Sequence, residues 1–185
     1  MDSSIELVNA VGGGDVHSEL DLDVLLDLID APVKRYDPEY HPSLYLKLQE
    51  GGTTILVFRT GKYNIAGAES IQDLVITNKR FLCQLSELGI DISDSEDSFE
   101  VRNLVFNSEF DAEFDLSTLV VGLGLEYAEY EPEQFPGVQY KPPTGKGVFL
   151  IFRTGKVILT GATKKDVAED MFRKLRDDLR DMGAI

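Results

Sequence analysis

The stretch T-I-L-V-F-R-T-G-K, Thr54–Lys62, returns as V-F-L-I-F-R-T-G-K, Val148–Lys156. The two copies stand 94 residues apart, Phe152 against Phe58. The same offset, without a gap, carries Tyr36 onto Tyr130, Pro38 onto Pro132, Glu39 onto Glu133 and Pro42 onto Pro136. It also carries Lys47 onto Lys141, Gly67-Ala68 onto Gly161-Ala162, Asn9 onto Asn103 and Val11 onto Val105. The repeat therefore fills almost the whole chain of 185 residues. Repeats of about 20 to 50 residues build solenoids, whereas a unit this long holds several strands and helices of its own. Two such units pair into a saddle, a sandwich or a barrel, and we place the boundary between residues 1–92 and 93–185.

Inside one repeat the periodicity is mixed. Ile5–Val11 and Phe99–Val105 are β-rich runs. Leu22, Leu25, Leu26 and Ile29 share one helical face, as do Leu116, Leu119, Val120 and Leu123. The prolines of Y-D-P-E-Y-H-P and Y-E-P-E-Q-F-P bar a regular helix, and short strands are expected at Ser43–Leu48 and Gly137–Lys141. R-T-G-K reads as a hairpin connection, with Gly61 and Gly155 free to take a positive φ. Ser70 and Thr163 are the expected N-caps of long helices striped by Leu74, Phe81, Leu85 and Leu88, and by Ala168, Met171, Phe172, Leu175 and Leu179. The order is strand, helix, three or four strands, long helix, twice over: an α+β chain. Helices on one face of an antiparallel sheet leave the other face open, and function is sought there. Gly12-Gly13-Gly14 suggests a loosened end to the first strand.

Composition narrows the function. With 33 Asp and Glu against 18 Lys and Arg, the net charge is −15. Such acidity ordinarily argues against nucleic acid, whose affinity comes largely from cations. The alternative is a solvated acidic coat suited to very high salt, where screening lengths shrink to a few ångström. The placement of the cations favours the coat. Arg59, Lys62, Arg153 and Lys156 recur in the repeated hairpins, whereas carboxylates gather at Asp21–Asp30, Asp91–Glu100 and Glu109–Asp115. One cysteine and two histidines supply no zinc cluster, and no cofactor-binding motif is present. Neither histidine stands in a recurring motif with a nucleophile, so no enzyme is expected. No apolar run approaches the roughly 20 residues of a membrane span, and the N-terminus lacks the pattern of a signal peptide, so a cytoplasmic protein is expected.

Y-E-P-E-Q-F-P-G, then L-I-F-R-T-G-K-V-I-L-T-G-A and a long amphipathic helix, all repeated at one offset, resembles the archaeal TATA-box-binding protein family. The likeness covers nearly the full chain, and the acidic coat points to a halophile. What the resemblance implies is a two-repeat saddle: a curved antiparallel sheet with helices on its convex face and the DNA minor groove under the other. The family's wedging aromatics fall on Phe135 and Phe152 in the second repeat, and on His41 and Phe58 in the first. Its groove-floor asparagines fall on Asn9 and Asn103, its small floor residues on Val11, Val105 and Ile158, and a floor threonine on Thr160. In the same positions the first repeat departs from the pattern, with His41 for a phenylalanine, Asn64 for a valine, Ala66 for the threonine and Glu69 for a lysine.

The resemblance further implies a general initiation factor that binds A·T-rich promoter DNA, bends it and recruits transcription factor B, and through it RNA polymerase. The partner-contacting positions fall on Glu131, Glu133 and Gln134. A homodimer in the absence of DNA is a further expectation. The rival reading is a diverged paralogue that serves as a protein-interaction module with weak or no DNA binding. Taken singly, Phe58 and Phe152 would be core residues, and the four hairpin cations would be solvated charges. Recurrence at one offset makes exposed wedges and phosphate contacts the better reading.

Overall fold

A computed structural model describes residues 4–144 and 147–185. The chain divides into two compact units, one of Asn9–Arg102 and the other of Asn103–Ile185 together with the chain up to Val8. The first contains most of β1 (Glu6–Asp15), then α1 (Leu22–Leu28), β2 (Val33–Arg35), β3 (Ser43–Lys47), β4 (Thr54–Phe58), β5 (Lys62–Ala68) and α2 (Ile71–Glu87). Its strands lie in the order β2-β3-β4-β5-β1, with antiparallel neighbours. The second repeats the pattern with β6 (Glu100–Glu109), α3 (Leu116–Leu123), β7 (Ala128–Glu129), β8 (Val138–Tyr140), β9 (Val148–Ile151), β10 (Lys156–Ala162) and α4 (Lys165–Asp181). Its order is β6-β10-β9-β8-β7, again antiparallel. Each repeat thus has four strands between its short and long helices.

Alternation sets the two faces. Along β4, Ile55 and Val57 are fully buried while Thr54, Leu56 and Phe58 stay half-buried; β9 repeats this with Phe149 and Ile151 against Val148 and Leu150. The buried set meets the long helix. Tyr63 meets Phe81 of α2 edge-on with ring centroids 5.0 Å apart, and Phe149 meets Phe172 of α4 at 5.2 Å. Burying a large apolar side chain contributes about 1.5–3 kcal/mol, so this layer holds each unit together.

Of the two expected caps, Ser70 is found and Thr163 is not, while Asp115 caps α3. Ser70 Oγ accepts the Asp73 N–H at 3.0 Å, and Asp115 Oδ1 accepts that of Thr118 at 2.8 Å. The hydrogen bonds from Thr118 hold the Asp115 carboxyl below the usual carboxylate range. Thr163 is not the cap of α4: β10 and α4 keep the same spacing as β5 and α2, so Lys164, the equivalent of Ser70, takes the position, and having no acceptor it makes no side-chain bond. In the hairpins Gly61 and Gly155 have φ of 88° and 89°. A Cβ at Gly155 would lie 2.2 Å from the Phe110 carbonyl oxygen.

The glycine run does not loosen β1. The strand continues through Gly12-Gly13-Gly14 to Asp15, paired with β5, and all three glycines are buried. A Cβ on Gly14 would stand 2.5 Å from Tyr63 Oη and 2.7 Å from its Cζ, and one on Gly12 would stand 2.6 Å from Phe99 Cζ. The glycines admit large rings against the strand. Tyr63 Oη donates to Asn78 Oδ1 at 2.7 Å, and burial pushes its pKa up to about 12. Gly14→Ala is therefore expected to cost about 1–3 kcal/mol in urea unfolding, because the anchored ring has no room to yield.

Candidate nucleic-acid interface

The face of each unit away from its long helix carries nearly all the residues expected at a site. In the second unit Asn103 and Val105 on β6, Leu150 on β9 and Ile158 and Thr160 on β10 are all half-buried on that side, with Phe152 just beyond β9. In the first, Asn9 and Val11 on β1, Leu56 and Phe58 on β4 and Asn64 and Ala66 on β5 correspond. Leu56 and Leu150 were not singled out in the sequence, although the strict alternation of their strands assigns them to this face.

A register shift in each repeat positions the asparagines. Between Ala10 and Gly12 of β1, and between Leu159 and Ala162 of β10, the ladder slips, which leaves the N–H groups of Gly67 and Gly161 without a regular strand partner. Asn9 Oδ1 accepts the Gly67 N–H at 3.0 Å, and Asn103 Oδ1 accepts that of Gly161 at 2.7 Å. A backbone donor settles which end of each amide is oxygen. The Nδ2 groups therefore point elsewhere as donors. That of Asn103 donates to Thr160 Oγ1 at 3.1 Å and keeps one hydrogen in reserve. Asn9 faces Ala66 in place of the threonine, and among the described residues its Nδ2 has no partner.

The aromatic positions differ between repeats. Phe135 and Phe152 lie together, centroids 5.7 Å apart at 58°. Gly137 makes room for them: a Cβ there would meet Phe135 Cε1 at 3.0 Å and Phe152 Cδ1 at 3.2 Å. The offset puts Ser43 at that place in the first repeat. Ser43 is buried, paired in register with Phe58, and its Oγ lies 2.7 Å from Nδ1 of the exposed His41. His41 Nδ1 also accepts the Ser43 N–H at 3.3 Å. An acceptor Nδ1 leaves Nε2 as the protonated, outward nitrogen. One repeat thus presents a paired apolar wedge, the other a tethered imidazole beside a phenyl ring.

Arg59, Lys62, Arg153 and Lys156 are exposed on the two hairpins, and none forms a salt bridge among the described residues. Backbone bonds hold the hairpins in place, from the Leu20 N–H to the Arg59 carbonyl and from the Phe114 N–H to the Arg153 carbonyl, each 2.9 Å. Glu131, Glu133 and Gln134 are exposed in the turn that carries Phe135, where the Gln134 amide donates to the Glu131 carboxylate. Among the described residues no group of three or more potential metal ligands gathers, and no helix is long and apolar enough to cross a membrane.

The sequence model described as "Transcription factor TFIID (or TATA-binding protein, TBP)" matches residues 4–88 and again 98–182. The chain belongs to the TATA-binding protein family. It is 39% identical to TATA-box-binding protein C of Halobacterium salinarum, over 97% of this chain and 99% of that one. It is 35% identical to the TATA-box-binding protein of Thermoplasma volcanium, over 98% and 97%. The solved Methanococcus jannaschii TBP superposes with a TM-score of 0.82 at 31% identity, over 96% of this chain and 99% of that one. The fold is that of the TATA-binding protein family, with two repeats of antiparallel sheet and helix, and the family is one of transcription factors rather than enzymes.

Stability separates wedge from core. Phe149→Ala is expected to cost roughly 3–5 kcal/mol, the usual range for a buried phenylalanine. Phe152→Ala and Phe135→Ala, removing half-exposed rings, should each cost under about 2 kcal/mol with native circular dichroism.

Proposed function

We propose that this protein is a general transcription initiation factor that binds A·T-rich promoter DNA through the minor groove, bends it, and recruits transcription factor B and through it RNA polymerase. The observation that carries this reading is the pair of asparagines whose oxygens are taken by Gly67 and Gly161, so that each offers an amide donor on a half-buried apolar face. The minor-groove edge of an A·T pair presents only acceptors, adenine N3 and thymine O2, and suits such donors. The floor of Val105, Leu150 and Ile158 is apolar, and the Oδ1 of Asn107 opposite Ile158 is buried away from the surface, so the amino group that guanine would project there meets no partner. The half-exposed ring pair of Phe135 and Phe152 supports insertion into an opened base step, and the exposed hairpin cations support contacts to phosphates. Glu131 and Glu133 are the proposed contacts for transcription factor B. The relatives named as TATA-box-binding proteins support the same reading.

The two ends of the interface are unequal in this account. Phe152→Ala should weaken binding to an A·T-rich duplex by more than tenfold and reduce the bend read by fluorescence resonance energy transfer between duplex ends, because the inserted ring offsets unstacking of about a few kcal/mol. His41→Phe should tighten binding and increase the bend. An unchanged bend in both variants would refute the wedge assignment. Loss of all duplex binding with transcription factor B binding intact would instead establish the protein-interaction module.

Salt provides a second test. An ordinary DNA binder loses affinity with a log–log slope of about −0.9 per phosphate neutralised. Here a few hairpin cations face a polyanion on a chain of net charge −15, so repulsion relieved by screening and by cation uptake outweighs counterion release. Affinity measured by titration calorimetry should rise from low to molar potassium chloride, and neutralising Glu69 or Glu131 should return the slope towards negative values. A steep loss with salt in the unmodified protein would overturn the cation-uptake mechanism.

A further inference from the structure

The first repeat carries an Arg102–Asn64 hydrogen bond on its open face, where the second has Val8 and Ile158. Gly13 pairs in register with Asn64, and paired residues point to the same side of a sheet. The flanking Tyr63 and Ile65 are buried on the helix side, so a Cβ at Gly13 would project onto the open face. It would strike the Arg102 guanidinium, with Cζ at 2.7 Å, and Asn64 Oδ1 at 2.7 Å. The glycine thus makes a seat over which the guanidinium lies. Arg102 Nη1 donates to Asn64 Oδ1 at 3.0 Å, and its Nε is 3.8 Å from Glu100 Oε1 in a loose ion pair whose two side chains are 45% and 74% exposed. At the offset of 94 the equivalents of Arg102, Gly13 and Asn64 are Val8, Asn107 and Ile158. The register that sets Gly13 opposite Asn64 sets Asn107 opposite Ile158, so a branched apolar side chain stands in the second repeat where the first has Asn64, and the Asn107 amide beside it keeps its Oδ1 buried away from the surface.

We propose, building on the DNA-binding reading above, that Arg102 and Asn64 are specificity-determining residues that let the first repeat accept G·C pairs, so that the preferred element is A·T-restricted under one half only. A G·C pair differs from A·T in the minor groove by one donor, the guanine N2 amino group, among the same kind of acceptors. Over an apolar floor that donor is buried unpaired, which costs about 1–3 kcal/mol. Over the Arg102–Asn64 pair it meets Asn64 Oδ1, whose second lone pair is left by the single bond from Arg102. Arg102 itself donates to the pyrimidine O2 or purine N3 that every base pair offers, so it adds affinity without restoring the A·T requirement. Its stem and head replace the shape exclusion of a branched apolar side chain with a group that hydrogen-bonds.

The test is a scan in which each base pair of an A·T-rich element is replaced in turn by G·C, with affinities of the full protein read by fluorescence anisotropy in molar potassium chloride. The unmodified protein should lose about tenfold or more for each replacement in one half of the element. In the other half it should lose less than about threefold. The double variant Asn64→Val with Arg102→Val should raise the losses in the tolerant half to those of the restricted half, which also assigns that half to the first repeat. Arg102→Lys, which keeps the charge, guards against misfolding and should retain the tolerance, since Asn64 still supplies the acceptor. Equal losses in both halves of the unmodified protein would overturn the inference while leaving A·T-rich DNA binding intact. So would a tolerant half that the double variant leaves unchanged. Absence of binding to every duplex would overturn the function on which it rests.

Discussion

One-sided burial is the constraint on which the rest depends. Each sheet spends one face on a long helix, and the edge-on packing of Tyr63 on Phe81 and of Phe149 on Phe172 fixes which face that is. Because side chains alternate along a strand, committing Ile55, Val57, Ile65 and their equivalents to the helix side leaves Asn9, Phe58, Asn103 and Phe152 on the other. A slip of one residue would exchange the two sets, so hydrophobic burial also keeps the functional face in register. The slips at Ala10/Gly12 and Leu159/Ala162 are the places where that rule is locally suspended, and there the bulge amides of Gly67 and Gly161 take hold of the asparagines.

The repeat made much of this legible in advance. A single T-I-L-V-F strand cannot say which of its residues face a core, but the second copy with an amphipathic helix at the same distance can. The element order, the positive-φ hairpin glycines and the Ser70 cap follow from local chemistry that tertiary packing did not override. Three features were not legible. Gly12-Gly13-Gly14 reads as weakness because glycine in a strand lacks side-chain packing, and only the packed position of Tyr63, Phe99 and Arg102 reveals that the missing side chains are space for others. Thr163 was the better cap by type, but the exit from β10 put Lys164 there. The Arg102–Asn64 bond joins residues 38 positions apart, which no local pattern reports.

The asparagine geometry also bears on energetics. A surface amide normally samples both flips and several rotamers, and ordering it on binding costs free energy. Here the bulge N–H groups have already selected the orientation in the unliganded chain, so less of that cost falls at the moment of contact. The second repeat goes further than the first, since Thr160 gives Asn103 a second partner where Ala66 gives Asn9 none among the described residues.

Duplication would by itself produce two interchangeable halves. A molecule with identical halves could lie on a linear ligand in either of two orientations with equal free energy, and would carry no information about direction. The exchange of Gly137 for Ser43, with the aromatic pair of one repeat replaced by an imidazole held on a serine hydroxyl in the other, removes that degeneracy. A difference of about 1.4 kcal/mol between the two orientations suffices for a tenfold preference. Small departures between copies are thus enough to turn a pseudo-symmetric protein into one with a front and a back.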